Sequence, residues 1–364
     1  IYTVSKAKVK AALGIKRGVI GGEFGIQKPV FADITANSEL TRGLDGTWLL
    51  SGRFALARIL RKLMGQGVNH VHLPAYLCES VLEPVRCLGL EMSFYPIRDN
   101  LSAEPDPPAG SAVLLIHYFG QINRAAADIR GQAGNDFYLI EDASQALLTD
   151  WRSDVTEQAY YLISPRKFGP APLGGWCNIT SDSSNSKDVA SIAYSSLAAR
   201  LVKAAYIDDD DGPILPGTEK FYLEAFEAVE KVLSAQSGAD ILPNWVVSLI
   251  AGINWSEVAA ARLTNLEVLI ANLENRFIAP NSPFAPNEIP LGYPILCDNR
   301  DELRRKLASR RIFCPVHWPL PAEVSSAQFP EAYSLSEKIM TLPLDQRYTI
   351  EDMARLAENV LELS

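Results

Sequence analysis

Cysteine and histidine are scarce, with five and four copies in 364 residues. The cysteines, at 78, 87, 177, 297 and 314, form no CxxC pair, and no zinc-ligand spacing appears, so no metal site is expected. An odd count with mostly apolar flanks predicts reduced core thiols in a cytoplasmic protein. No run approaches 18 consecutive apolar residues, so no membrane span is expected. Residues 1–18 lack the long apolar stretch of a secretory leader. Positive charge is in deficit: 34 Lys and Arg stand against 43 Asp and Glu, a formal net charge of −9. That argues against non-specific binding to nucleic acid or to an anionic membrane, and leaves room for a locally positive pocket. The GxGxxG spacing is missing too. GGEFGIQKP at 21–29 has the glycines but no strand leading into it, and reads as a turn-rich N-terminal arm over residues 1–40.

The composition that is present, 48% hydrophobic and 21% charged, is that of a globular chain of about two domains. From residue 47 the pattern alternates. Leu56, Ile59, Leu60 and Leu63 fall at helical spacing and stop at Gly65 and Gly67. VNHVHLPAY reads as a strand ending at Pro74, CESVLEPVRCLG as a helix closed by Gly89, and LEMSFYPI as a strand. SAVLLIHYFG is a buried strand and INRAAADIRGQAG a short helix. DFYLIEDASQAL is a strand ending in acids, and AYYLISPRKFG a strand and turn. Continuous apolar strands separated by helices predict a parallel sheet covered on both faces. Residues 185–235 read as helical, with Asp208–Asp211 as a solvated acidic loop rather than a calcium site, because the alternating ligands of an EF-hand are missing. VVSLIAGINWSEVAAARLTNLEVLIANLENRF reads as one long helical region able to link two domains. LGYPILC, RDELRRKLASR, IFCPVHW and TIEDMARLAENVLEL then predict strand, helix, strand and helix, the last opened by Thr349 with Asp352 three residues on. The expected division is an arm at 1–40, a large α/β domain at 41–240 and a small α+β domain at 241–364.

In a parallel sheet, ligands sit at the carboxyl ends of the strands. Four places there carry candidate chemistry. Ser51-Gly52-Arg53 begins a helix and offers free backbone N–H groups and a cation to an anion, or merely caps the helix. Glu141-Asp142 ends a buried strand, where a carboxylate needs a partner or serves as a helix cap. Asp142 and Gln145 could face one ligand. Lys167 follows a strand in a Gly/Pro-rich turn, where a partly desolvated amine loses its proton readily and can form a Schiff base; most lysines are simply surface groups. Gly174 and Gly175 would let the backbone approach a ring closely. His317 and Trp318 end a strand of the small domain and could touch a substrate or simply pack. An anion-binding helix start, a strand-end carboxylate and a strand-end lysine together answer the three needs of pyridoxal phosphate.

The ordered segments SGRFAL, PAYLCESV, LLIHYFGQ, IEDASQA, SPRKFG with its following Gly-Gly, and CPVHWPLP resemble the DegT/DnrJ/EryC1/StrS sugar aminotransferases from about residue 20 to the C-terminus. The resemblance implies the type-I fold of pyridoxal phosphate enzymes, with a mostly parallel seven-stranded sheet in the large α/β domain and a small α+β C-terminal domain. It implies Lys167 as the Schiff-base lysine, Asp142 as the acid at the pyridine nitrogen, and Gln145 near the ring hydroxyl. Gly52, Arg53 and Phe54 would lie at the phosphate, Arg53 standing where the family has Thr. Ser164 is the nearest hydroxyl to the family's serine, whose position is Leu162 here. The residue stacking on the ring comes from PAYLC: by position Cys78, which cannot stack, with Tyr76 as the alternative. His317 and Trp318 would face substrate. The GyNyR segment of the family is not recognisable near Asn244 or Asn254.

By this resemblance the protein is a homodimeric, cytoplasmic transaminase that passes an amino group from a donor to a keto-sugar, nucleotide-linked, as in polysaccharide or antibiotic sugar biosynthesis. Two other readings remain. One is a sugar dehydratase of the same fold, against which Lys167 argues because those relatives carry His there. The other is a catalytically degenerate member acting as a binding or scaffold protein.

Overall fold

A computed structural model of the chain describes residues 19–26, 40, 45–134, 136–150, 159–180, 187–208, 217–235, 240–273, 276–280 and 282–364. A seven-stranded sheet forms its centre. The strands are β2 (Thr47–Leu49), β3 (His70–Pro74), β4 (Glu91–Tyr95), β5 (Ala112–Ile116), β6 (Tyr138–Asp142), β7 (Tyr160–Ile163) and β8 (Gly175–Cys177), in the order β2-β8-β7-β6-β5-β3-β4. The run from β7 to β4 is parallel throughout, while β8 is antiparallel to both β7 and β2. Register is fixed by burial: Ala112–Ile116 is buried at every position and pairs residue for residue with Tyr138–Asp142.

Helices α1 (Gly52–Met64), α2 (Glu79–Cys87) and α3 (Ala126–Gln132) alternate with these strands. In α1 the predicted stripe of Leu56, Ile59, Leu60 and Leu63 is at most 3% exposed, and it anchors the helix on the sheet. Pro84 lies inside α2, and Gly89 follows that helix at φ +66°, a left-handed turn that suits glycine. Beyond β8 come α4 (Lys187–Asp208) and α5 (Thr218–Ala235), packed on each other. The acidic run Asp208–Asp211 lies outside the residues whose side chains are described.

The long helical region expected near 246–277 is two helices, α6 (Asn244–Ala251) and α7 (Trp255–Asn272). The break falls at Gly252–Asn254, where Asn254 accepts from the Glu257 N–H and starts α7 afresh. Trp255 and Val258 of α7 join the sheet core, whereas Leu266 and Leu269 join a second core built on β9 (Tyr293–Leu296), α8 (Arg300–Ser309), β11 (Ile339–Leu342) and α10 (Ile350–Leu363). The second of these helices contributes to both cores.

In the C-terminal part, strand character in IFCPVHW is confined to β10 (Ile312–Phe313), which pairs in parallel with β1 (Ile20–Gly21). The first described segment of the arm is thus a strand on the C-terminal core. Helix α9 (Pro330–Lys338) and β11, which pairs antiparallel with β9, were not read from the sequence. Thr349 and Asp352 form the reciprocal capping box expected at the start of α10. Cys177 and Cys314 are buried as expected of core thiols, but Cys87 is exposed on α2 and corrects that expectation; all five cysteines are free. No described helix is long and apolar enough to cross a membrane.

Candidate active site

The carboxyl ends of β3, β5, β6 and β7, with the start of α1, line a cleft that is partly open to solvent. Strand alternation sorts its two acids. Successive residues of β6 point to opposite faces, so Glu141 and Asp142 diverge. Asp142 lines the cleft, and the Ser144 N–H donates to its Oδ1 at 2.8 Å.

Glu141 is fully buried on the other face. Arg130 donates to both of its oxygens, Nε to Oε1 at 2.9 Å and Nη2 to Oε2 at 2.8 Å, and His117 Nε2 meets Oε2 at 2.8 Å. The Asn123 N–H donates to His117 Nδ1 at 3.1 Å, which leaves the imidazole proton on Nε2, aimed at Glu141. Burial alone would raise the Glu141 carboxyl, but His117 and Arg130 hold it below its ordinary range. This network underlies the floor of the cleft, since the His117 N–H also donates to the Asp142 carbonyl at 3.1 Å.

Lys167 ends the single 3-10 turn Pro165–Lys167 that follows β7. Lys167 is exposed as a residue, yet it lines the cleft, where protein crowds the amine on several sides. Desolvation lowers its pKa; Asp142 and Cys78 oppose that, and Arg166 and Arg53 add to it. The amine is therefore neutral at lower pH than a surface lysine. Ser164, on the same wall, donates to the Gly174 carbonyl at 3.3 Å. Gln145 Oε1 accepts from the Phe119 N–H at 2.8 Å, which fixes the amide and leaves a buried Nε2 with no partner.

The start of α1 is open to the cleft. Ser51 is extended and makes no side-chain cap, and its Oγ is buried with no partner. The first N–H groups of a helix have no intrahelical acceptor, so this corner offers donors and a positive dipole end. Gly175 belongs to this construction: a Cβ there would come within 2.2 Å of the Ser51 backbone. The close approach expected of the Gly-Gly pair is thus between β8 and the helix start, not toward a ring.

Gly52, Arg53, Asp142, Gln145, Ser164, Lys167 and Trp318 are brought together on the cleft wall. Three predicted residues, Phe54, Tyr76 and His317, are not. Phe54 is 1% exposed and belongs to the sheet core, because it falls on the buried stripe of α1. Tyr76 is wholly buried, packed on Tyr118 and Trp318 at 5.6 and 5.5 Å between ring centroids, while Cys78 reaches the wall. Residues 76 and 78 leave β3 in different surroundings, and of the two only Cys78 lines the cleft. Among the described residues of the wall, the aromatic is Trp318. His317 lies just behind: its ring stands edge-on to Phe119 and Trp318, Nδ1 is 2.8 Å from Thr341 Oγ1, and burial, followed by the Lys167 charge, lowers its pKa to about 3.

Sequence reasoning gave no role to Arg166 or Glu230. Arg53 Nη2 donates to Glu230 Oε2 at 2.7 Å and Arg166 Nη1 donates to Glu230 Oε1, so one carboxylate of α5 takes a guanidinium on each oxygen. Burial would raise the Glu230 carboxyl, but Arg166 and then Arg53 hold it low. No local pattern in the sequence announces that pairing across α1, the Lys167 turn and α5.

No protein-family model and no curated protein matches the sequence. Solved structures do. The sugar aminotransferase CalS13 from Micromonospora echinospora aligns at TM-score 0.64 with 15% identity, over 94% of this chain and 100% of that one. DesV from S. venezuelae, solved with a ketimine intermediate, aligns at 0.62 with 17% identity over 92% and 90%. The aminotransferase TlmJ from Streptoalloteichus hindustanus aligns at 0.62 with 16% identity over 98% and 96%. At such identities the likeness establishes architecture: the chain has the α/β fold of these aminotransferases, the type-I fold that the sequence resemblance implies.

Proposed function

We propose that the protein is a pyridoxal 5'-phosphate-dependent aminotransferase acting on a keto-sugar, with a nucleotide-linked sugar as the acceptor and a small amino compound as the donor. The observation that carries this reading is Lys167, an amine of lowered pKa on the same cleft wall as Asp142 and the open start of α1. The fit to the cofactor rests on orphaned donors: Ser51 Oγ and Gln145 Nε2 are buried without partners in a pocket that already has a helix start and a lysine. Gly52, Ser51 and the first N–H groups of α1 would take the phosphate. Gln145 Nε2 would donate to the ring oxygen and Asp142 would face the ring nitrogen. When bound, the cofactor supplies an aldehyde for amines and a ring that withdraws electrons.

The chain's own residues do the rest. Lys167 Nζ would be the amine that holds the cofactor, and as a neutral base it would remove and return the substrate proton. Desolvation favours the neutral amine that both roles need. Asp142, oriented by the Ser144 N–H, would turn its carboxyl group to the ring nitrogen. Trp318 forms the side of the cleft that comes from the C-terminal part. The domain division at residues 41–240 and 241–364, a homodimeric assembly and a cytoplasmic setting complete this reading, supported by the family resemblance.

The test is borohydride reduction of protein mixed with pyridoxal phosphate, followed by peptide mapping. The expected result is an adduct on Lys167, absent from Lys167→Ala, which also loses transaminase turnover. An adduct on another lysine, or full turnover in Lys167→Ala, would overturn the assignment.

A further inference from the structure

We propose that Arg262, which lies outside the cleft, is a positioning residue that sets Lys167 and Gln145 in place through the main chain. The geometry stands by itself, and the role it serves rests on the aminotransferase reading of Lys167.

Arg262 belongs to α7 and is wholly buried. A buried cation is costly unless its hydrogen bonds are met, and here they run to three main-chain carbonyls. Nη2 donates to the Phe168 carbonyl at 3.1 Å, and Nη1 donates to the carbonyls of Pro290 and Leu291 at 3.0 and 2.8 Å. The guanidinium also lies over the Phe168 ring, 4.7 Å from its centroid. Burial lowers the Arg262 pKa to about 10, so the group stays charged at neutral pH.

Phe168 directly follows Lys167 in the chain. A single 3-10 turn makes few internal bonds, so what grips it from outside decides where it lies. The Phe168 N–H closes the turn on the Pro165 carbonyl at 3.0 Å. Its own carbonyl is gripped from outside, by Arg262 and by Gln346 Nε2 at 2.9 Å. Its ring is buried under the guanidinium, so the residue after Lys167 is anchored at both ring and carbonyl. A second chain of bonds leads from Arg262 to Gln145. Leu291, whose carbonyl takes Nη1, donates its N–H to the Phe119 carbonyl at 3.0 Å, and the Phe119 N–H donates to Gln145 Oε1 at 2.8 Å. Both cleft groups are thereby fixed to one point on α7. A reacting group misplaced by about 1 Å loses about two orders of magnitude in rate, so such an anchor acts on the reaction at Nζ more than on binding.

The test is stopped-flow attachment of pyridoxal phosphate to wild type, Arg262→Lys and, as a control for stability alone, Thr349→Ala. Lysine keeps the charge and loses the planar fork that spans Phe168 and Leu291. The rate is followed against cofactor concentration: its plateau reports the covalent step at Nζ, and its half-saturation reports the binding before it. Partial unfolding lowers the amplitude and leaves the plateau rate alone. Arg262→Lys is expected to lower the plateau about ten-fold, and Thr349→Ala to leave it at the wild-type value. A plateau in Arg262→Lys within about two-fold of wild type, or a fall that Thr349→Ala shares, overturns the proposal, and any larger fall supports it. Should Arg262→Lys fail to fold, Gln346→Met decides by the same limit, with a fall of about three-fold expected from one missing hydrogen bond. Amide hydrogen exchange over residues 166–169, measured without cofactor, separates the two ideas. If wild-type Lys167 takes no cofactor, the aminotransferase reading falls and exchange decides the anchor. Exchange more than about two-fold faster in Arg262→Lys then supports it, and anything less overturns it. Normal attachment in wild type with an unchanged plateau in Arg262→Lys removes the positioning role alone.

Discussion

At the residue scale the cleft is a set of groups whose chemistry is set by neighbours. Lys167 is the clearest case. Its pKa is lowered by desolvation and further by Arg166 and Arg53. Because the neutral amine is the reactive form, attachment of pyridoxal phosphate should rise with pH through the Lys167 pKa. Removing a cation that lowers that pKa moves the rise upward. Arg166→Gln is therefore expected to shift the pH midpoint of the attachment rate to higher pH, checked by stopped-flow absorbance across pH; a midpoint that stays put or falls would contradict it. Asp142→Asn should leave attachment possible and cut turnover by about two orders of magnitude or more, since it removes the charge opposite the ring nitrogen. Single-turnover kinetics check that. Glu141, one residue away, behaves differently because the strand turns it to the buried face. Arg130→Met would strand its carboxylate with His117 alone and cost about 3–5 kcal/mol in a denaturant titration, the usual effect of breaking a buried ion pair.

At the element scale, the site depends on how closely β8 approaches the start of α1. Gly175 has no room for a side chain, since the Ser51 carbon and oxygen stand 2.2 Å from where a Cβ would be. The neighbour is backbone and cannot rotate aside. Gly175→Ala is expected to push the first turn of α1 out of place, lowering stability by about 1–3 kcal/mol and weakening phosphate binding with it. Thermal melts and phosphate titration of that variant test the link; a melt and an affinity both unchanged would break it. At the other end of the chain, the capping box of α10 acts alone. Thr349→Ala should cost about 1 kcal/mol with no effect on the cleft.

At the scale of the whole molecule, acid is expected to weaken the fold through two imidazoles, that of buried His72 and that of half-buried His317. His317 has its pKa lowered from 6.5 to about 3 and His72 from 6.5 to about 4, both chiefly by burial. Below pH 6.5 the unfolded chain takes up these protons and the folded one does not, so stability falls as pH drops from about 6.5 toward 4, each histidine contributing a slope of up to about 1.4 kcal/mol per pH unit. Denaturant titrations between pH 7 and 4.5 should show a flatter profile for His72→Gln than for wild type. Much of this molecule was legible in its residues alone. Continuous apolar strands, the stripe of α1, the Thr349 cap and the order of strand-end residues depend on neighbours a few positions away, and local physics writes them directly into sequence. That is why the sequence points to Lys167, Asp142, Gln145 and Gly52 as strand-end and helix-start groups, which line one cleft. Phe54 and Tyr76 could not be judged that way, because Phe54 is buried by the packing of α1 on the sheet and Tyr76 by Tyr118 and Trp318 from distant segments. Nor could the sequence reveal that Glu230, far along the chain on α5, would bridge Arg53 and Arg166. The sequence determined the elements and the chemistry at their ends. Only the tertiary structure decided which charges meet, because an ion pair between distant segments is fixed by how helices pack and leaves no periodic trace in the chain.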